Sequence, residues 1–186
     1  MDLTEYLQTQ AKLSAEVAQT LDELFESHDY PKGYKLVKED SRSQKLFYVE
    51  KGIMRGYYFK DGKDITHRFF FEKDIFASIE TIFLNQQQYF NVELLEDCTI
   101  RAVDYSKIEK LIETNTKLQQ FQQFIMTSII LELAEHIRSI QFQSAQERYN
   151  LLMEKSPDLL LRVPLGHIAS YLGITQQTLS VIRARK

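Results

Sequence analysis

LGHIASYLGITQQTLSVIRARK, residues Leu165–Lys186, is the stretch whose reading decides this chain. Ile168, Leu172, Ile174, Leu179 and Ile182 hold its apolar positions. Ala169 is small enough to let two helices cross, and Gly173 suits a tight turn between them. Two helices joined by a three- to four-residue turn with a glycine make a helix-turn-helix. The second helix, about Thr175 to Arg185, is then the one that such a motif lays in a DNA major groove. An αα-hairpin used only for packing is the competing reading.

Working outward, the charge of the whole chain is −3, which would argue against a polyanionic partner. Its distribution argues otherwise. Arg162, Arg183, Arg185 and Lys186 follow one another without an Asp or Glu, so that segment is +4 and the rest of the chain −7. A basic end on an acidic body is a local footprint for phosphate. The same cations also suit a helix C-terminus.

The chain of 186 residues, 44% apolar and 26% charged, has the composition of a globular protein of one domain or two small ones. Its apolar runs are too short for a membrane span, so no membrane partner is expected. MDLTEYLQTQ does not read as a signal peptide. The single Cys98 excludes an internal disulfide and a four-cysteine cluster, and a reducing cytoplasm is the expected location. His28, His67, His136 and His167 lack metal-ligand spacing, so neither a metal nor a cofactor is assigned. No phosphate loop, nucleophile elbow or paired-carboxylate motif is present, and an enzyme is not expected.

Upstream, residues 1–27 carry helical periodicity, with a break near Lys12 and a new start at Ser14. His28 to Gly33 has turn composition. From Tyr34 to Val103 short strands follow at close spacing, with Asp61-Gly62 as a hairpin turn. A double-sheet roll of about eight strands fits that pattern. Asp74 to Phe90 reads as an insertion at one end of the roll, with a short helical piece. Helix periodicity returns at Tyr105 and continues through a helix of about 28 residues, Asn115 to Phe142, about 42 Å long. Leu118, Phe121, Ile125, Ile129, Leu133 and Ile137 form its stripe, the expected interface with a second copy across a two-fold axis. A helix buried wholly within a monomer is the alternative.

The order of roll, long helix and helix-turn-helix resembles the Crp/Fnr family of bacterial transcription regulators. So do LFYVEKGIMR at residues 46–55, VELLED at residues 92–97, and Ile168 to Ile182. The resemblance implies a cyclic-nucleotide-binding-like β-roll as sensor, a homodimer through the long helix, and double-stranded DNA as partner of the C-terminal part. The fold class expected is α+β: an N-terminal jelly roll (double-stranded β-helix) with flanking helices, a long dimerisation helix and a C-terminal helix-turn-helix domain. The expected domains are 1–113 (roll), 114–143 (dimerisation helix) and 144–186 (a winged-helix-like reader lacking a C-terminal wing).

Family members that bind cyclic nucleotides carry a Gly-Glu pair followed by an Arg and a small hydroxyl residue. Phe76 to Asn91 has no Gly, Arg or Lys, and its one acid is Glu80. A buried phosphate without a cation is costly. Control by cyclic AMP is therefore not expected. A small-molecule effector, if the roll takes one, is expected at Phe76, Ser78, Glu80, Tyr89 and Asn91. The expected DNA-binding residues are Thr175, Gln176, Gln177, Thr178, Ser180, Arg183, Arg185 and Lys186. Gln176, Gln177 and Val181 fall where the family reads bases; Gln pairs with adenine and an apolar group meets a thymine methyl. Thr175 suits the N-cap. The alternative function is a small-molecule-binding or protein-interaction module with a vestigial DNA-binding motif.

Overall fold

The structure, a computed structural model, describes residues 2–184; Arg185 and Lys186, two of the expected DNA contacts, lie outside the described residues. Two short helices open it, α1 (Leu3–Gln10) and α2 (Ala15–Asp22). Asp2 and Ser14 cap them by accepting from Glu5 N–H and Val17 N–H, and Lys12 takes a φ of 52° at the break between them.

Eight strands follow: β1 (Glu26–Tyr30), β2 (Lys35–Val37), β3 (Lys45–Lys51), β4 (Met54–Lys60), β5 (Lys63–Phe70), β6 (Ile75–Ala77), β7 (Asn91–Leu94) and β8 (Cys98–Asp104). They pair antiparallel as two four-stranded sheets, β1-β8-β3-β6 and β2-β7-β4-β5. The Asp61-Gly62 turn has φ of 52° and 74°, the doubly left-handed pair that a two-residue hairpin requires. Two strands correct the sequence reading. β1 was expected as helix end and turn, and β6 as part of an insertion. Both are sheet edges, and ESHDY in β1 is polar because an edge strand buries little.

Side chains alternate along the strands, so each sheet feeds two cores. Phe47 and Val49 of β3 point between the sheets, into the roll interior with Met54, Phe70, Phe76, Phe90, Val92, Leu94 and Ile100. Tyr48, between them in sequence, points outward beneath α1, α2, α4 (Tyr105–Thr114) and the start of α5 (Thr116–Phe142). A short helix, α3 (Ile79–Leu84), lies between β6 and β7.

The rest is helical: α6 (Ala145–Lys155), opened by a capping box between Ser144 and Glu147, α7 (Leu159–Arg162), α8 (Leu165–Tyr171) and α9 (Gln176–Ala184). α7, four residues ahead of Pro164, is too short to show a helical period in the sequence. A third core joins these helices to the roll. Ile53, Phe69 and Leu95 are buried together with Tyr149, Leu159, Val163, Ile168, Leu172, Leu179 and Ile182.

Leu118 corrects the expected dimer stripe. It is 4% exposed and sits in the core under α1, and Phe121 packs edge-on to Tyr6 in the same place. The reason is helical drift. A helix turns about 100° per residue, so each four-residue step from Phe121 to Ile137 advances about 40° around the axis. The chosen stripe therefore starts on the chain's own core and ends on the opposite side.

Candidate functional site

The turn between α8 and α9 is built by its own backbone. Gly173 takes a φ of 67°; its N–H donates to Ser170 C=O, and Ile174 N–H donates to Ala169 C=O, both at 3.0 Å. This double closure is the Schellman ending of a helix and favours glycine at the left-handed position. Thr175 then starts α9, its Oγ1 accepting from Thr178 N–H at 3.1 Å. Leu179 and Ile182 turn inward, and Ile168 and Ala169 of α8 pack into the same core. The outward face of α9 carries Gln176, Gln177, Thr178, Ser180, Val181 and Arg183, all exposed, and Thr175 is exposed beside them. No acid stands between Thr175 and Ala184.

The roll interior does not form the expected pocket. Phe76 lies inside it, stacked on Phe47 and tilted against Phe70. Phe90 fills the space between Phe76 and His67. Ser78 is buried, and its hydroxyl donates to Gln88 Oε1. Asn91 is buried and accepts from Glu39 N–H at 3.2 Å. Glu80 is half-buried, and Tyr89 is 60% exposed, outside the interior. The five expected residues thus divide between packing, internal hydrogen bonds and surface. An apolar cavity of about 100 Å³ lies elsewhere, on the outer side of β3 and β6, lined by Leu46, Ile75, Phe83, Ile108, Phe121 and Met126 among others.

His67 was not singled out by the sequence. It is the extra residue where the β4–β5 register shifts, and it lies over Gly56, between Tyr58 and Phe90. A β-carbon at Gly56 would stand 2.6 Å from its Nε2, so the missing side chain there is what makes room for the ring. Burial, followed by Arg68 and His136, pushes the His67 pKa down to about 4.

Arg55 is another residue the pattern concealed. It is 3% exposed, yet reaches Glu93 and Asp64 at 2.7 Å and Thr66 Oγ1 at 3.1 Å. The hydrogen bond from Arg55 holds the Asp64 carboxyl below the usual carboxylate range. This charged cluster lies on the outer face of the β4–β5 sheet, on the side where α8 docks.

Along α5, Arg68 and Glu132 pair at 2.7 Å, and His136 stacks on Tyr171. These contacts mark the side turned to its own chain. Ile130, Leu133, Ile137 and Ile140 lie on another side and are exposed, Ile137 by 56%. Among the described residues no cluster of His, Cys, Asp and Glu could hold a metal ion, and no helix is long and apolar enough to cross a membrane.

Residues 27–115 match the cyclic nucleotide-binding domain family. Over 132 residues the chain is 25% identical to the anaerobic regulatory protein of Bacillus subtilis (strain 168), covering 69% of this chain and 52% of that one. The chain thus spans about half the length of that curated relative. The fold is shared with FixK2 from Bradyrhizobium japonicum, with a TM-score of 0.75, 21% identity, and 87% and 83% of the two chains covered. A CooA mutant from Carboxydothermus hydrogenoformans gives 0.73 and 21%, over 100% of this chain and 84% of that one. A chain from Eubacterium rectale assigned to the crp/fnr family of transcriptional regulators gives 0.71 and 15%, over 96% and 85%. Residues 27–115 thus carry a cyclic nucleotide-binding domain, and the chain as a whole shares the fold of FixK2 and CooA.

Proposed function

We propose that this chain is a transcription regulator that binds duplex DNA as a homodimer, reading bases with α9 and not switched by cyclic AMP. The observation that carries the reading is the outward face of α9, exposed and free of acids while Leu179 and Ile182 anchor its other side. Gln176 and Gln177 near its start have the amides that pair with adenine, and Arg183 is the phosphate contact. Arg185 and Lys186 extend the same charge in the sequence. Ile130, Leu133, Ile137 and Ile140 of α5 supply the apolar face for a second copy, which two half-sites about 34 Å apart require. Domain division follows the same reading, with residues 1–113 as sensor, 114–143 as dimer helix and 144–186 as reader.

The neutral Ser78–Gln88 pair supports independence from cyclic AMP. It lies within residues 76–91, which hold no Arg or Lys, and offers no cation to a phosphate. Selection from genomic fragments with the full chain tests the reading. An enriched sequence, bound with an affinity that falls steeply with salt, is expected. No enrichment at any salt concentration sinks it and favours the protein-interaction alternative.

A further inference from the structure

Arg162, the last residue of α7, reaches back to two turns of the roll. Its guanidinium bonds both oxygens of Glu72, after β5, and both oxygens of Glu96, between β7 and β8. The outer contacts of the fork are 3.3 Å each. Glu72 also accepts from Gly52 N–H at 3.1 Å, which fixes it to the β3–β4 turn. Burial alone would raise the Glu72 pKa, but Arg162 and the backbone donors outweigh it and hold it below its ordinary value.

One residue thus ties three turns of the roll to the helices that precede α8 and α9. The apolar core beneath it points the same way, since Ile53, Phe69 and Leu95 are buried with Ile168 and Leu179. Ser170 of α8 adds hydrogen bonds to the β5 edge. The reading face of α9 nonetheless stays open, so this docking does not cover it.

We infer that the Arg162 fork on Glu72 and Glu96 is a clasp that makes α7–α9 one body with the roll, so that the roll dictates where α9 stands. The C-terminal helices are then not a unit swinging freely on the Gln143–Ser144 link after α5. Any shift of the turns at residues 71–74 or 95–97 is passed directly to α7. The link to DNA rests on the function proposed above; the clasp itself does not.

Hydrogen exchange on the full chain tests it. Arg162→Ala is expected to raise amide exchange across residues 159–172 by roughly tenfold or more, the loss of a multiply bonded charged pair. Exchange in β3 and β8 is expected to hold. Glu96→Gln, which keeps the side-chain volume, is expected to give a smaller rise in the same residues. Unchanged exchange in 159–172, or an equal rise throughout the chain, overturns the clasp. In parallel, affinity for a selected DNA fragment is expected to fall roughly tenfold in Arg162→Ala. If the wild type binds no DNA while the exchange result holds, the DNA reading fails and the clasp stands.

Discussion

The hydroxyl of Ser170 on α8 stands 3.0 Å from the backbone nitrogen of Thr66 on β5 and accepts its proton. The same hydroxyl donates to the carbonyl of Asp64 at 3.3 Å. β5 is the outer strand of its sheet, so its free backbone groups need partners from elsewhere. A single serine supplies both, and in doing so seats α8 on the roll.

Replacing that serine should therefore cost more than one surface hydroxyl. Ser170→Ala leaves the Thr66 N–H without its partner, and a loss of about 1–2 kcal/mol is expected. Urea unfolding should show a lower midpoint with an unchanged slope. An unchanged midpoint would mean that water serves the edge equally well.

Gly52 is held at a φ of 101°, and a β-carbon there would meet Cys98 Sγ at 2.3 Å. Gly52→Ala suffers both the left-handed backbone and the clash, and about 2 kcal/mol or more of stability should be lost. Adding Cys98→Ala removes the Sγ clash and should recover that share alone, since Cβ and Cα of residue 98 still stand at 3.0 and 3.1 Å. Full recovery in the double variant would show that the backbone conformation costs little.

Leu118 and Ile137 lie on one helix and should fail differently. Leu118→Ala opens a cavity under α1 and is expected to cost about 2–5 kcal/mol. Its oligomeric state should be that of the wild type. Ile137→Asp touches only the exposed face, so the fold should hold while light scattering reports monomers. A dimer that survives Ile137→Asp would place the partner elsewhere.

His67 should make stability depend on pH. Its folded pKa of about 4 lies below the ordinary histidine value, so the unfolded chain takes up the proton first. The contribution is complete above pH ~6.5 and disappears as the pH falls toward 4; about 2 kcal/mol of it should be gone by pH 5. His136 and His167, also lowered chiefly by burial, add to the same trend. Unfolding free energies at pH 7 and pH 5 should therefore differ more in the wild type than in His67→Leu. Equal differences would show that His67 is not the group responsible.

Cyclic AMP should give no heat of binding at micromolar concentration. Ser78 donates to Gln88 Oε1, a bond between two neutral side chains, and Phe76 and Phe90 occupy the interior. Saturable binding in a titration calorimeter would contradict that account.

Much of this molecule was legible from local chemistry. Asp61-Gly62 marked a hairpin because few other pairs accept two positive φ values. Ser14 marked a helix start, and the residues from Ala169 to Thr175 marked a helix end, a turn and a new start. Each of these signals concerns neighbours within four residues. β1 escaped because a polar edge strand has no alternation to show, and β6 because three residues are too few for a period.

The sequence by itself determined the order of elements and which short stretches bend, since backbone preferences and hydrophobic period act over a few residues. It also determined the acid-free face of α9. Tertiary structure decided the rest. Leu118 became core and Ile137 surface because a straight helix rotates away from a four-residue stripe. Ser78 met Gln88, and Phe90 closed on His67, because the two sheets brought them together. Arg162 found Glu72 and Glu96 across 90 and 66 residues of chain, a pairing that only packing could make.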